Sequence, residues 1–239
     1  MRYDRQILIP QIGPQGQEKL SKSRVTVIGC GGLGSPVLTY LTCAGVGTIC
    51  ILDRDVVSES NLNRQFLHDT YDLGKLKVES AREKLSRLNP EINIIVQNTT
   101  IYADNAKELL SASDVVVDCV DNIETRITVA RACLELDIPL VEGGINGFYG
   151  YIMSIGRDFP CLSCIGYDKV TQKTPVPVLG ATAGVIGTMQ ANECIKLLLG
   201  IGEPIYGRML NYDGLSCSWD EVRVEKSDSC PIHGTIKVD

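Results

Sequence analysis

Apolar and polar positions fall along this chain in blocks of two kinds. After an amphipathic opening at 6–20, residues 24–29 form a β-rich run, Arg24-Val25-Thr26-Val27-Ile28-Gly29. A glycine turn follows. The spacing then predicts a helix over 35–44 and a second apolar run, Thr48-Ile49-Cys50-Ile51-Leu52-Asp53. Strand, glycine turn, helix, strand is how a doubly wound α/β sheet begins. The alternation continues with a helix over 75–88, ending before Asn89-Pro90 because a residue preceding proline resists helical angles. A strand is predicted at 92–101, a short helix at 105–110, a strand buried on both faces at 115–120 and a helix at 123–136. Over 140–155 the strands are broken by Gly143-Gly144, Gly147 and Gly150 with no helix between them, which predicts antiparallel neighbours. Residues 156–180 carry Pro160, Pro175 and Pro177 and read as an irregular connection, of a length that is usually functional or mobile. A helix over 184–199 and short strands at 209–212 and 216–224 complete the pattern. No repeat, low-complexity tract or flexible linker interrupts it, so one domain over 1–239 is expected.

Composition narrows the class. The chain has 239 residues, 44% of them hydrophobic, a length at which roughly 70% of the unfolded surface can be buried. The net charge is −6 and no sustained Lys/Arg block occurs, which argues against nucleic acid as a partner. The most apolar stretch, 176–199, contains Asn192, Glu193 and Lys196 and is too polar to span a membrane. The opening Met1-Arg2-Tyr3-Asp4-Arg5-Gln6 lacks the apolar core of a secretory signal, so a cytoplasmic location with no membrane partner is expected. Ten cysteines is a high count, and where thiols stay reduced, metal and nucleophile roles are weighed first. Cys30, Cys50 and Cys119 lie in or beside apolar strand runs and read as core.

Gly29-Cys30-Gly31-Gly32-Leu33-Gly34 fits G-x-G-x-x-G between a strand and a helix. Glycines there let backbone approach a phosphate, and a helix N-terminus offers free N–H groups and partial positive charge. Asp53 ends the next strand, where a carboxylate accepts hydrogen bonds from ribose hydroxyls. This much indicates an adenine nucleotide in a Rossmann-like sheet and is equally compatible with an NAD-dependent oxidoreductase. The next segment argues otherwise. Ser60-Asn61-Leu62-Asn63-Arg64-Gln65, then Lys77, then Asp121-Asn122 at the end of the 115–120 strand, place two cations and an acid toward one sheet edge. Two cations suit a triphosphate, and an acid suits Mg2+, which takes one or two carboxylates plus phosphate oxygens. Hydride transfer needs no such set. Taken singly, Arg64 reads as a surface cation, Lys77 as a solvated helix position and Asp121 as a helix N-cap; jointly they read as a site.

Tyr3-Asp4-Arg5-Gln6, the glycine turn, Ser60-Asn61-Leu62-Asn63-Arg64-Gln65, Lys77-Val78-Glu79-Ser80-Ala81 and Asp121-Asn122 occur in an order and spacing that resemble the MoeB/ThiF/HesA family of ubiquitin-activating-type adenylyltransferases. The resemblance runs from Tyr3 to about His233. It implies adenylation, with ATP, of the C-terminal Gly-Gly carboxylate of a ubiquitin-like sulfur-carrier protein, in thiamine, molybdopterin or related sulfur-transfer biosynthesis. It implies that Gly31 and Gly32 sit against the phosphates and Asp53 on the ribose. Ser60, Asn61, Arg64 and Lys77 would hold the triphosphate, Asp121 would bind Mg2+, and Asn122 would line the site. Arg5 resembles an arginine that reaches into the other subunit's site, which implies a homodimer. A carrier carboxylate is already ionised at neutral pH, so the two histidines and the lack of a Ser-His-Asp set do not count against catalysis. A tRNA-dehydratase-like adenylating enzyme and a non-enzymatic nucleotide-binding scaffold remain as alternative readings.

Cys161-Leu162-Ser163-Cys164 and Cys230-Pro231-Ile232-His233 form C-x2-C and C-x2-H pairs, which suit a closed, structural Zn2+ clip. Family relatives often carry four cysteines here, so His233 is a departure. No cysteine lies in 165–192. Cys194 falls on a small apolar helix face with Gly187, Ala191 and Leu198, Cys217 among strand-like residues, and neither is expected to be a nucleophile. No rhodanese-type segment follows Cys230, so the reaction is expected to stop at the acyl-adenylate. His68 reads as a packed or surface histidine.

Overall fold

The computed structural model describes residues 2–171 and 175–233. The chain opens with two short helices, α1 (Asp4–Ile7) and α2 (Gly13–Lys22). Then come β1 (Arg24–Ile28), α3 (Gly34–Ala44), β2 (Thr48–Leu52), α4 (Lys77–Leu88), β3 (Asn93–Gln97), α5 (Ala106–Leu110), β4 (Val115–Asp118) and α6 (Ile123–Leu136). β5 (Leu140–Asn146), β6 (Tyr149–Ile155), α7 (Gly180–Leu199), β7 (Arg208–Asp213) and β8 (Ser218–Arg223) follow.

Among the described residues, eight strands join one sheet in the order β3-β2-β1-β4-β5-β6-β7-β8. β3, β2, β1, β4 and β5 run parallel, while β6, β7 and β8 continue the sheet antiparallel. The doubly wound, Rossmann-like α/β expectation with an antiparallel extension is therefore met. Alternate strand residues feed two apolar layers, as a period of two requires. Val25, Val27, Ile49, Ile51, Val115 and Val117 face α3, α4 and α7. Ile28, Cys50, Leu52, Val116 and Leu140 face α5 and α6. The chain winds outward from β1 to β3 and then crosses back to β4. That reversal opens a crevice beyond the C-termini of β1 and β4, where ligands bind in such sheets.

Several boundaries differ from those expected. The opening is two helices, not one run. α4 starts at Lys77 because Leu76 is extended and bridges to Val56. β3 is shorter than 92–101. β4 stops at Asp118, whose carboxylate accepts the Val120 amide at 2.9 Å and turns the chain out of the ladder. α7 begins at Gly180, four residues before the expected start. Its glycines are poor helix formers in isolation, but they serve packing: a Cβ on Gly187 would lie 2.5 Å from the Leu33 carbonyl of the facing segment. The connection after β6 contains two 3-10 turns, Leu162–Ile165 and Tyr167–Lys169.

Candidate functional site

The glycine turn lies at the crevice. Gly29 has φ +91, and a Cβ there would stand 2.8 Å from the Cys119 carbonyl beyond β4. A Cβ on Gly34 would fall 2.1 Å from the Gly29 carbonyl, so the turn cannot close around any side chain there. Gly32 lies against the Arg64 stem, with a Cβ position 3.6 Å from Arg64 Cγ. A Cβ on Gly31 would stand 3.3 Å from the Gln65 amide nitrogen. α3 starts from this turn with its N-terminal N–H groups and dipole directed at the crevice, a disposition that attracts phosphate.

Asp53 holds the turn from β2. Its Oδ2 accepts the Cys30 amide at 2.9 Å and its Oδ1 accepts the Asp55 amide at 2.8 Å. The Cys30 thiol also donates to Oδ2 at 3.4 Å; a carboxylate has about four lone-pair sites, so these three bonds leave capacity for a hydroxyl donor. Cys30 is buried, and burial pushes its thiol well above the ordinary range, with the neighbouring Asp53 charge adding to the effect and Lys77 opposing it.

The segment after β2 brings the cations in. Ser58 caps a 3-10 turn, Glu59–Asn61, and its amide donates to Asn61 Oδ1 at 3.1 Å. The Asn61 carbonyl accepts the amides of Arg64 and Gln65. Arg64 Nη1 donates to the Ser60 carbonyl at 2.8 Å and to Asn63 Oδ1 at 2.9 Å, which holds the guanidinium against its own segment. Lys77, the first residue of α4, is only 5% exposed. Its Nζ lies 3.0 Å from Asp55 Oδ2, and its charge acts on both Cys30 and His68. Asp121 is presented two residues beyond Cys119, the residue that contacts Gly29. Asn122 caps α6 through a 2.9 Å bond from the Thr125 amide. The α6 N-cap is thus Asn122, not Asp121.

Arg5 is not brought to this edge. Tyr3 packs over Gly45, where a Cβ would be 2.6 Å from its ring, and Gln6 Nε2 donates to the Ala44 carbonyl at 2.9 Å. Both contacts lie at the C-terminal end of α3. That helix has 11 residues, about 16 Å at 1.5 Å each, and its other end is the glycine turn.

His68 takes the packed one of its two expected placements, and a second feature was not foreseen. His68, buried, engages Ser80 Oγ at 2.9 Å and the Cys30 carbonyl at 3.0 Å, so it braces the turn as a packed residue. Asp118, Arg126 and Glu142 form a buried charged cluster beneath Asp121. Glu142 inside the apolar run Leu140-Val141-Glu142 was the available signal: a charge on a doubly covered strand needs a partner.

Cys161, Cys164, Cys230 and His233 converge, their ligand atoms all within 4.8 Å of one another. The Cys161 sulfur is 3.9 Å from that of Cys164 and 3.7 Å from that of Cys230. His233 Nδ1 is 3.4 Å from the sulfurs of Cys164 and Cys230. A regular tetrahedron with metal–sulfur bonds near 2.3 Å has sulfurs about 3.8 Å apart, so the donor set fits Zn2+. His233 Nε2 lies 3.1 Å from the Phe159 carbonyl. Donating there fixes the tautomer that leaves Nδ1 as the ligand. Cys194 is fully buried and burial pushes its thiol up, in keeping with an inert role.

A family model described as the ThiF family matches residues 3–232. The chain belongs to the ThiF family. Among curated relatives, this ThiF-family chain is 40% identical over 245 residues to a sulfur carrier protein adenylyltransferase of Thermus thermophilus, covering 98% of this chain and 90% of that one. It is 39% identical over 244 residues to a SAMP-activating enzyme E1 of Haloferax volcanii, covering 100% and 90%. It is 38% identical over 244 residues to the sulfur carrier protein ThiS adenylyltransferase of Escherichia coli, covering 100% and 97%. The crystal structure of E. coli MccB with ATP superposes with a TM-score of 0.86 over 98% of this chain and 75% of that one, at 23% identity, a likeness of fold. Among the described residues no helix is long and apolar enough to cross a membrane.

Proposed function

We propose that this chain is an adenylyltransferase that uses MgATP to activate the C-terminal Gly-Gly carboxylate of a ubiquitin-like sulfur-carrier protein. The observation that carries this reading is the gathering of Arg64 and Lys77 around the glycine turn, beside the segment bearing Asp121. The adenylyltransferase names of full-length relatives at about 40% identity support the same chemistry.

The carrier carboxylate attacks the α-phosphorus of ATP. A carboxylate-oxygen–phosphorus bond forms, the bond from the α-phosphorus to its bridging oxygen breaks, and pyrophosphate leaves with that oxygen. Being ionised already, the nucleophile needs no general base. The barrier lies in bringing an anion to a polyanion, so positioning and charge neutralisation dominate, as in phosphoryl transfer. Gly31 and Gly32 admit the phosphates to the backbone, and Asp53 accepts the ribose hydroxyls. Asn61, anchored by Ser58 beside Ser60, together with Arg64 and Lys77, orients the triphosphate and stabilises the departing pyrophosphate. Asp121, with Asn122 beside it, would hold Mg2+, which when bound neutralises phosphate charge. The four-ligand clip would hold Zn2+ structurally, tying the loop after β6 to the segment after β8.

Arg5 acts on the partner subunit's site in a homodimer. Its place at the far end of α3 from its own glycine turn favours this arrangement over action in cis.

The reading is tested by pyrophosphate release. Release from MgATP should require an added carrier ending in Gly-Gly and vanish in Asp121→Ala. Release driven by tRNA alone, or tight NADH binding without ATP binding, would replace the proposal.

A further inference from the structure

Beneath the Asp121 segment lies a buried cluster that the proposed chemistry does not use. Asp118 and Glu142 are adjacent in the β4–β5 register and are both fully buried. Arg126, on the second turn of α6, is 5% exposed and pairs with Glu142 Oε1 through Nη1. The same nitrogen donates to the Gly143 carbonyl at 2.7 Å, and Nη2 donates to the Val120 carbonyl. Tyr151 of β6 adds its hydroxyl to Glu142 Oε1 at 3.3 Å. Asp118 Oδ1 accepts the Val120 amide at 2.9 Å, and Gln190 of α7 donates to the Asp118 carbonyl at 2.7 Å.

Val120 is therefore gripped on both sides. Its amide is held by Asp118, and its carbonyl, part of the peptide that leads into Asp121, is held by Arg126. On the other side of Asp121, Asn122 is locked as the cap of α6. A single acid projecting from a turn would otherwise sample several orientations, at an entropic cost when it engages a cation. Buried charges are also expensive to place. Two carboxyls against one guanidinium leave one buried oxygen on each without a donor, Asp118 Oδ2 and Glu142 Oε2. Burial pushes both carboxyls up, against the pull of Arg126.

We infer that Arg126 and Glu142 are positioning residues for Asp121: the guanidinium, oriented by Glu142, sets the Val120–Asp121 peptide plane and so aims the Asp121 carboxylate at the cation that accompanies the triphosphate. This rests on the proposed role of Asp121. Groups that orient metal-holding side chains typically contribute 10–100-fold to metal affinity or activity.

The test compares Asp121→Ala, Arg126→Lys and Glu142→Gln in carrier-dependent pyrophosphate release, titrated with free Mg2+ at saturating ATP and carrier. Lysine keeps the charge but lacks the fork that spans Glu142 and Val120. Glutamine keeps shape and an acceptor oxygen, so Glu142→Gln is the variant that carries the reading if Arg126→Lys does not fold. The expected result is a rise of about tenfold or more in the Mg2+ concentration for half-maximal rate. Binding of a fluorescent ATP analogue in EDTA should stay within twofold of the parent. A merely structural role would lower the melting temperature and leave the Mg2+ half-point where it was. If Asp121→Ala is inactive while the folded Glu142→Gln keeps the parental half-point, the positioning inference is overturned and the function stands. If Asp121→Ala retains the parental rate, the role of Asp121 falls and the inference falls with it.

Discussion

Lys77→Met separates a catalytic cation from a structural one. The Lys77 side chain is 7% exposed, and its ion-pair partner Asp55 is 56% exposed at 3.0 Å. A pair with one member largely in water contributes about 0.2–1 kcal/mol, and the buried ammonium carries a desolvation cost that methionine, of similar length, does not. The substitution should therefore change unfolding free energy by no more than about 1 kcal/mol in either direction. Its effect on the reaction should be much larger. Removing one preorganised donor from a developing charge costs about 10²–10³ in kcat, or 2.7–4 kcal/mol. The assay pairs urea unfolding of the nucleotide-free protein with carrier-dependent pyrophosphate release at saturating ATP and carrier. Parental kcat in Lys77→Met would remove Lys77 from the reaction. So would a loss of several kcal/mol of stability with parental kcat in the folded fraction, because Lys77 would then be a structural ion-pair member.

Arg5→Ala and Arg64→Ala should each be inactive alone, and mixing them should restore roughly a quarter of parental sites if subunits of a C2 dimer exchange at random; no recovery in mixed dimers shown to form by mass spectrometry would contradict a shared site. His233→Ala should lose one zinc per chain by elemental analysis and unfold at lower temperature, whereas His233→Cys should retain the metal; parental zinc in His233→Ala would remove it from the clip. Burial alone would raise the Asp72 carboxyl, yet hydrogen bonds from Lys84, the Asp69 amide, Lys75 and Ser80 outweigh it and hold the group far below its ordinary range. A depressed folded value means the stabilisation is complete above the unfolded pKa of about 3.9 and is lost as pH falls below it, so Asp72→Asn should lose stability at pH 7 and show a flatter acid limb in urea unfolding between pH 5 and pH 2. An unchanged acid limb would show that Asp72 is not the group responsible.

Much of this arrangement was legible from sequence because local and tertiary preferences agree. The β-branched runs at β1, β2 and β4 and the glycine turn between β1 and α3 each have one favoured local state, and the parallel order follows from helices intervening between them. The two C-x2 pairs announced a metal cluster because four soft ligands have few other uses in close spacing. The boundary misreadings have a common cause. Gly180 looks like a helix breaker until the facing Asn63 carbonyl is in place, where a Cβ on Gly180 would come within 2.5 Å of Asn63 O. β4 loses its last two expected residues to Asp118, whose side chain captures a backbone amide the ladder would have used. The Arg126–Glu142–Asp118 cluster was beyond local reading, since its members come from three elements and the pairing exists only once β4 and β5 are in register. The location of Arg5 likewise depends on tertiary contacts of Tyr3 and Gln6 at the end of α3.

Adenylation of a carrier requires that the carrier's own carboxylate be the nucleophile toward ATP. Intact-mass spectrometry of a Gly-Gly-ending sulfur-carrier protein, incubated with this chain and MgATP and quenched in acid, tests that directly. The expected product is a carrier heavier by one AMP, absent when the terminal glycines are removed and absent with Asp121→Ala. A carrier of unchanged mass while ATP is consumed, or an AMP adduct that forms equally well without the terminal glycines, would contradict it.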